Sequence, residues 1–282
     1  MMKIALTIRW LVVTVTLLVL GAVTPTAADD YDDCDQLSDR DVKIRGCSRL
    51  IDSGVLSASD LAIAHSERGT AFSDKGDLDR AIADYSKAIQ IRPDYDIAYY
   101  NRGNAHRGKG DFDRAIADYS EAIQIKPDHD LAYYNRGLAY DANGDFDRAI
   151  ADFDKAIEID PDDHRVYNNR GIAYKSLGEY ERAITDYDRA IEIKPDHASA
   201  FFNRGVAHWS IAWGQDDGSD FVTQIGLAYD DVVAAIEFDP EFGSAYCLRG
   251  QIDLEMTFGD YGYDDLEKGA SLGGIVDLCE LQ

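Results

Sequence analysis

The charged residues that invite a chemical role in this sequence recur at a fixed spacing. Six arginines stand directly before a glycine, and the interval between them is constant except that the last one follows after a longer gap. An aspartate follows each arginine at a constant offset, which is longer only in the fifth copy. The pairs are Arg68 and Asp84, Arg102 and Asp118, Arg136 and Asp152, Arg170 and Asp186, Arg204 and Asp231, and Arg249 and Asp265. Opposite charges in matching phase predict ion pairs.

Each arginine lies within the apolar stripe of a helical pattern. In the second copy, Tyr99, Arg102, Gly103 and His106 follow the i, i+3, i+4, i+7 spacing of one helix face. A buried charge without a partner is prohibitively costly. We therefore predict a structural ladder, in which each arginine meets an aspartate across a helix–helix contact, within one unit or between neighbours. The alternative is a row of arginines presented to an acidic ligand, which leaves the aspartates unexplained.

Other residue types offer less chemistry. Asp216, Asp217 and Asp220 have the wrong spacing for an EF-hand, so an acidic solvated loop is preferred to a calcium site. Three histidines closely follow a proline, and a metal site is the weaker interpretation of them: they are His129, His164 and His197. No phosphate-binding loop and no nucleophile with a base stands out. We predict no catalytic residue, metal, cofactor or enzymatic activity.

The constant interval also sets the elements that must position the charges. Prolines recur with the same period from Pro93 to Pro195, and Pro240 follows after a longer gap, which indicates a solenoid of short units. The extra residues are placed around 213–221. The predicted units are 62–95, 96–129, 130–163, 164–197, 198–242 with the insertion, and 243–274.

Each unit contains two helical patterns. A Gly-Asp step, such as Gly110-Asp111, separates them, because glycine favours a helix end and aspartate caps a helix start. The proline then ends the second helix. Glycine or alanine recurs at three further phases, which lets the two helices approach closely. A single antiparallel pair cannot bury its faces alone, so we predict that the pairs stack on their neighbours.

The combined pattern resembles the tetratricopeptide repeat. The second unit has Tyr-Tyr-Asn-Arg-Gly at 99–103, Gly-Asp-Phe-Asp-Arg-Ala-Ile at 110–116 and Tyr-Ser-Glu-Ala-Ile at 119–123. The likeness covers residues 62–274, about three quarters of the chain, and is weak in the sixth unit, where Gly274 replaces the proline. It implies an all-α fold, a right-handed α-solenoid of six helix pairs whose first helices line a concave groove for a protein or peptide.

The resemblance also assigns groove positions on the first helix of each unit. The implied partner-binding residues are Tyr100, Asn104, Arg107, Tyr134, Leu138, Arg165, Asn168, Lys175, Phe202 and Trp209. Further residues at groove positions are Ile97, Leu131, Asp141, Ile172 and Val206. We expect Tyr100, Tyr134 and Phe202 to be exposed in the groove; the alternative is packing between units. Related chaperone-binding domains clamp a carboxylate with Lys and Asn at two of these positions. Since only Asn104 matches, that clamp is not predicted.

Residues 1–28 have the features of a cleaved export signal. Lys3 and Arg9 precede the apolar run 10–20, and small residues precede Asp29. A retained membrane anchor is the alternative, although the run is short for a span. The whole chain has 28 basic and 53 acidic residues, and cleavage would remove Lys3 and Arg9 from the basic set. Such a surface disfavours nucleic acid and favours a basic protein or peptide, unless the charge serves solubility alone.

Four cysteines would then lie in an oxidising compartment. Cys34 and Cys47 are close together near one end of the chain, and Cys247 and Cys279 near the other. Three connectivities exist, and pairing within each end is favoured because it closes the shortest loops, more firmly for Cys34 with Cys47. We expect residues 29–61, with a helix at 39–53, and residues 275–282 to cap the two ends of the solenoid.

These observations favour an exported, non-catalytic scaffold that binds a protein or peptide partner in the groove. The periplasm is the expected compartment, with secretion or N-terminal membrane anchoring as alternatives. The alternative function is binding of a carbohydrate or cell-wall glycan, whose sugar rings would stack on the groove aromatics.

Overall fold

The computed structural model describes residues 27–35, 39–214, 220–257, 261–274 and 279. All regular secondary structure in these residues is α-helical, which confirms the predicted all-α fold class. The helices are α1 Ala27–Cys34, α2 Arg40–Ser53, α3 Ala58–Asp74, α4 Leu78–Ile91, α5 Asp96–Gly108, α6 Phe112–Ile125, α7 Asp130–Ala142, α8 Phe146–Ile159, α9 His164–Ser176, α10 Tyr180–Ile193, α11 Ala198–Gly214, α12 Phe221–Phe238, α13 Gly243–Thr257 and α14 Tyr261–Ser271. None of the helices in the described ranges has the length and apolar character that crossing a membrane requires.

The turns within the helix pairs follow from their Gly-Asp steps. Four turn glycines adopt a left-handed conformation with φ of 76° to 78°: Gly76, Gly110, Gly144 and Gly178. Asp77 and Asp145 then cap the following helices, because each carboxylate accepts a hydrogen bond from a main-chain N–H three residues later, at 3.1 and 3.2 Å. The sequence therefore ends one helix and starts the next within three residues.

The chain comprises two compact units, residues up to Ala105 and residues from His106 onward. In the first unit, a disulfide joins Cys34 of α1 to Cys47 of α2. Helix α2 lies within the predicted range 39–53, and it ends at Gly54, whose φ is 67°. The sequence pattern does not predict α1, which begins at Ala27, inside the segment assigned to the export signal.

In the second unit, aromatic rings on second helices pack against glycines on first helices. A Cβ added at Gly137 would lie 2.7 Å from Phe153 Cε1, and one added at Gly171 would lie 2.6 Å from Tyr187 Cε1. Both rings are fully buried. The alanines at the other two small-residue phases are also buried: Ala115, Ala122, Ala149, Ala156, Ala183, Ala190, Ala228 and Ala235. Small residues therefore set the distance between the paired helices.

The extra residues of the fifth repeat mostly lengthen its helices. Helices α11 and α12 have 17 and 18 residues, whereas α9 and α10 have 13 and 14. The prediction of a loop over 213–221 is therefore wrong at its ends. Trp213 and Phe221 are helical, and their ring centroids are 5.3 Å apart, because the two longer helices bring the rings together. Asp216, Asp217 and Gly218 lie outside the described residues.

The C-terminal end is tied to the last helix pair by a second disulfide. Cys247 of α13 is bonded to Cys279. Gly269 of α14 stands directly against the Cys247 sulfur, where any side chain would collide with it. The rest of the predicted cap at 275–282 lies outside the described residues.

Candidate functional site

The recurrent arginines and aspartates are paired within helix pairs. Arg136 of α7 donates from Nε and Nη2 to the two carboxylate oxygens of Asp152 of α8, each at 2.7 Å. The same two-bond contact occurs, at 2.6 to 2.9 Å, in four further pairs: Arg68 with Asp84, Arg170 with Asp186, Arg204 with Asp231, and Arg249 with Asp265. Arg102 is half-buried and Asp118 is buried. This is the geometry of the predicted ladder.

A third contact of these arginines was missed by the sequence analysis. Nη1 of Arg136 donates to Ser120 Oγ of α6 at 2.9 Å, and Nη1 of Arg170 donates to Asp154 Oδ1 of α8 at 2.5 Å. Arg102 and Arg204 make the equivalent contacts, with Ser86 and Asp188. Each of these arginines therefore also links its repeat to the second helix of the preceding pair. The signal was present in the sequence, since the four acceptors recur with the period of the repeat.

The contacts fix the charge state of the ladder. Burial by itself favours the neutral form of Asp84, but hydrogen bonds from Arg68 and His65 outweigh it and lower the pKa of that carboxyl. His65 Nδ1 lies 2.9 Å from Asp84 Oδ1. Guanidinium groups bound on three sides in this way are held as structural elements and are poorly suited to capture a ligand.

A second set of predicted residues forms what we call the α7–α9 face, which consists of Tyr134, Leu138 and Asp141 of α7 and Arg165, Ile172 and Lys175 of α9. The α7 residues follow the i, i+4, i+7 spacing of one helix face. Arg165 is exposed, and the other five are half-buried or nearly so. Leu138 packs against the core around Phe153. The face thus has an apolar floor and accessible polar groups.

Tyr134 is held in place from α9. Its hydroxyl accepts a hydrogen bond from Asn169 Nδ2 at 2.9 Å, and the Arg165 guanidinium lies 5.5 Å from its ring centroid. Burial raises the pKa of the Tyr134 phenol. The ring and the guanidinium together form a preformed aromatic and cationic element, of the kind that contacts partner peptides.

Two predicted groove residues are buried, and their assignment to the groove is wrong. Phe202 is 7% exposed, and its ring centroid is 4.9 Å from that of Phe242, which precedes the next helix pair. Asn168 is 8% exposed, and its side-chain oxygen accepts from Asn203 Nδ2 at 3.1 Å. Both residues pack between repeats.

The remaining predicted groove residues are partly accessible. Tyr100 and Asn104 are half-buried on α5 in the first unit. In the second unit, Arg107 is exposed, and Trp209 is half-buried with its ring centroid 5.7 Å from that of Trp213.

Asp141 and Lys175 differ from the ladder charges because they are not bonded to each other. Asp141 Oδ1 is inaccessible to solvent and has no hydrogen-bond partner among the described residues. Burial raises the pKa of Asp141, although the charge of Lys175 opposes the shift, and burial lowers the pKa of Lys175, although the charge of Asp141 opposes it. They form a desolvated pair of opposite charges on neighbouring first helices.

The histidines considered for metal binding are only partly brought together. The His164 and His197 ring centroids are 4.7 Å apart, edge to face. In the part of the chain that the structure describes, no group of three or more His, Cys, Asp or Glu side chains is placed to hold a metal ion.

Comparisons with known proteins agree with the repeat architecture. Two models described as tetratricopeptide repeat match residues 100–164 and 153–185, and a third, described as TPR repeat, matches residues 69–110 and 173–211. No curated protein has a significant sequence match to the chain.

Three solved structures share the fold. A tetratricopeptide repeat protein from Parabacteroides merdae is 20% identical, with 89% of this chain and 93% of that chain covered and a TM-score of 0.66. PilW, a type IV pilus biogenesis factor, is 18% identical over 77% of this chain and 96% of its own, with a TM-score of 0.64. YrrB, a TPR protein with an unusual peptide-binding site, is 22% identical over 69% of this chain and 92% of its own, with a TM-score of 0.55. With its regular sequence period and its paired helices, the chain belongs to the tetratricopeptide repeat family.

Proposed function

We propose that this protein is a non-catalytic scaffold that binds an extended segment of a partner protein on the α7–α9 face. The observation that carries the proposal is the Tyr134–Arg165 element, which stays partly accessible while the ladder arginines are held by aspartates. The similarity to YrrB, described as having a peptide-binding site, supports a peptide as the ligand.

The charge of the chain favours a basic partner. The formal net charge is −25, and an acidic surface attracts cationic segments over roughly the Debye length, which is about 8 Å at physiological salt. Binding of such a partner weakens as the salt concentration rises, whereas binding of a neutral glycan does not. The glycan alternative loses one of its aromatic platforms, because Phe202 is buried.

We further propose that the protein acts outside the cytoplasm, in the cell envelope. The Cys34–Cys47 and Cys247–Cys279 disulfides support an oxidising compartment. N-terminal sequencing of the protein recovered from the envelope fraction tests the signal segment, with Asp29 as the expected first residue. Recovery of the chain with residues 1–28 still attached would favour the anchored alternative.

The binding proposal is tested by selection from a displayed library of random peptides of about twelve residues, a length that spans a groove of this kind. Selected peptides are expected to bind Tyr134→Ala and Arg165→Ala variants about tenfold more weakly than wild type, since a well-placed aromatic or cationic contact contributes more than about 1 kcal/mol. The matched control is Tyr263→Ala, which removes an exposed aromatic ring on α14. Equal binding to all four proteins would refute the assignment to this face.

A further inference from the structure

Asp141 and Lys175 occupy equivalent positions in consecutive repeats. Each is the twelfth residue of its first helix, counted from Asp130 in α7 and from His164 in α9. Asp141 shares a helix face with Tyr134, and the hydrogen bond from Asn169 to Tyr134 holds the two helices in register along that face. The pair therefore lies on the α7–α9 face, about two helical turns from the Tyr134–Arg165 element.

The two charges face each other without closing into an ion pair. No nitrogen–oxygen contact within 4.0 Å joins Asp141 or Lys175 to an opposite charge anywhere in the described residues. The ladder shows that this chain can close such pairs, as in the contact of Arg136 with Asp152. A desolvated carboxylate oxygen without a donor is unfavourable in a free protein. It becomes favourable once a ligand supplies the donor.

The chemistry of the gap selects one kind of ligand group. A cation near Asp141 would be repelled by Lys175, and an anion near Lys175 would be repelled by Asp141. The two charges cancel, so the matching group is neutral, with a hydrogen-bond donor on one side and an acceptor on the other. The main-chain amide of an extended peptide has this form, because it carries one N–H and one C=O that point in opposite directions.

We propose that Asp141 and Lys175 together bind one main-chain amide of the partner peptide. Asp141 accepts the hydrogen bond from the amide N–H, and Lys175 donates to the amide C=O. This inference rests on the proposed function, and it adds a contact that does not depend on the side chains of the partner. The twelfth position is Arg107 in the preceding unit and Trp209 in the following one, so within these four units the arrangement occurs once and sets the register of the bound peptide.

The test uses a peptide selected from the random library by wild-type protein and a series of analogues of it. Each analogue replaces one main-chain amide by an ester, which removes the N–H donor and weakens the carbonyl acceptor. With wild-type protein, one ester position is expected to lower affinity about tenfold or more, the effect of losing a hydrogen bond to a charged group. With Asp141→Leu protein, the same ester is expected to change affinity by no more than about twofold, because the acceptor is already absent.

The stability of the variants separates a binding role from a structural one. Asp141→Leu combined with Lys175→Met is expected to fold and to resist urea at least as well as wild type, because two desolvated, unbonded charges are removed. Loss of stability in the double variant would show that the pair supports the fold, and would overturn the proposal. Asp141→Asn, which keeps the shape of the side chain, is the second variant for affinity measurements.

The outcomes distinguish the two proposals. If the selected peptides lose affinity in Tyr134→Ala and Arg165→Ala but no ester position couples to Asp141, the amide site is wrong and the binding face stands. If no peptide is selected, or if the peptides are indifferent to Tyr134 and Arg165, the proposed function fails and the amide site fails with it.

Discussion

Arg136 and Asp152 are joined by two hydrogen bonds of 2.7 Å, and the aspartate is only 5% exposed. The same guanidinium reaches back to Ser120 of the preceding helix pair. One arginine thus connects three helices, and its charge allows a carboxylate to be buried between two of them. The most regular charges in the sequence are therefore part of the scaffold.

The first prediction concerns the cost of breaking one ladder pair. Arg136→Leu leaves the Asp152 carboxylate buried without its partner, and we expect it to lower the free energy of unfolding by about 3–5 kcal/mol. Adding Asp152→Leu removes the stranded charge, so the double variant should recover a substantial part of that loss. Urea unfolding of the wild type and the two variants measures both values.

The control for this comparison is an exposed pair on the same kind of helix. Arg114 and Asp111 are 3.2 Å apart, with 73% and 36% of their side chains exposed. Arg114→Leu should change the free energy of unfolding by no more than about 1 kcal/mol. Equal destabilisation by Arg136→Leu and by the double variant would contradict the ladder as a device for burying Asp152.

The second prediction compares two glycines within helices. A Cβ at Gly171 meets the buried Tyr187 ring at 2.6 Å, whereas a Cβ at Gly226 of α12 meets nothing within 4 Å. Gly171→Ala should destabilise the protein by about 1–3 kcal/mol through overpacking. Gly226→Ala should stabilise it by up to about 1 kcal/mol, because alanine is the better helix former. Thermal unfolding decides the signs, and stabilisation by Gly171→Ala would contradict the close approach of α9 and α10.

The third prediction concerns two buried tyrosine hydroxyls. Tyr187 Oη is inaccessible and has no partner among the described residues, whereas Tyr85 Oη donates to Thr70 Oγ1 at 3.2 Å. Phe153 occupies the equivalent position in the repeat before Tyr187. Tyr187→Phe should therefore be neutral or stabilising by up to about 1 kcal/mol, and Tyr85→Phe should cost about 1 kcal/mol. Urea unfolding ranks the two variants, and the reverse order would show that the Tyr187 hydroxyl is satisfied.

Most of the fold was predictable because each structural requirement leaves a mark at a fixed phase. Glycine ends the first helix, aspartate caps the second, and small residues mark the close contacts of the pair. Helix α1 escaped prediction because its apolar pattern is short and overlaps the export-signal features near Ala27 and Ala28. The lengthened helices α11 and α12 escaped because residues around Gly214 and Gly218 favour a loop when judged by composition alone.

The candidate site was less predictable because exposure depends on neighbouring repeats. Tyr134 and Phe202 occupy the same position in their helices, yet only Phe202 is fully covered. The residue before the next helix is Phe242 in one case and Asp163 in the other. Phe242 packs against Phe202, whereas Asp163 binds Arg165 and leaves the Tyr134 ring beside a cation. Such differences lie in contacts between repeats, which a single-repeat pattern does not contain.

The last prediction concerns alkaline pH. Burial raises the pKa of Tyr85 to about 12, although the hydrogen bond with Thr70 opposes the shift, and burial also raises the pKa of Tyr187. An unfolded tyrosine titrates near a pH of about 10. Because the folded state holds the Tyr85 proton more tightly, the contribution of this group is complete below pH ~10 and is lost as the pH rises from ~10 to ~12.

A shift of this size corresponds to a loss on the order of 3 kcal/mol at the upper limit. The free energy of unfolding of the wild type should therefore fall over this range, and it should fall less steeply in Tyr85→Phe, which has no phenol to ionise. Tyr263→Phe, which removes an exposed phenol of α14, is the matched control and should keep the wild-type slope. Identical slopes for wild type and Tyr85→Phe would mean that the Tyr85 hydroxyl reaches solvent before the protein unfolds, and that the ring is less tightly enclosed between α3 and α4 than its burial implies.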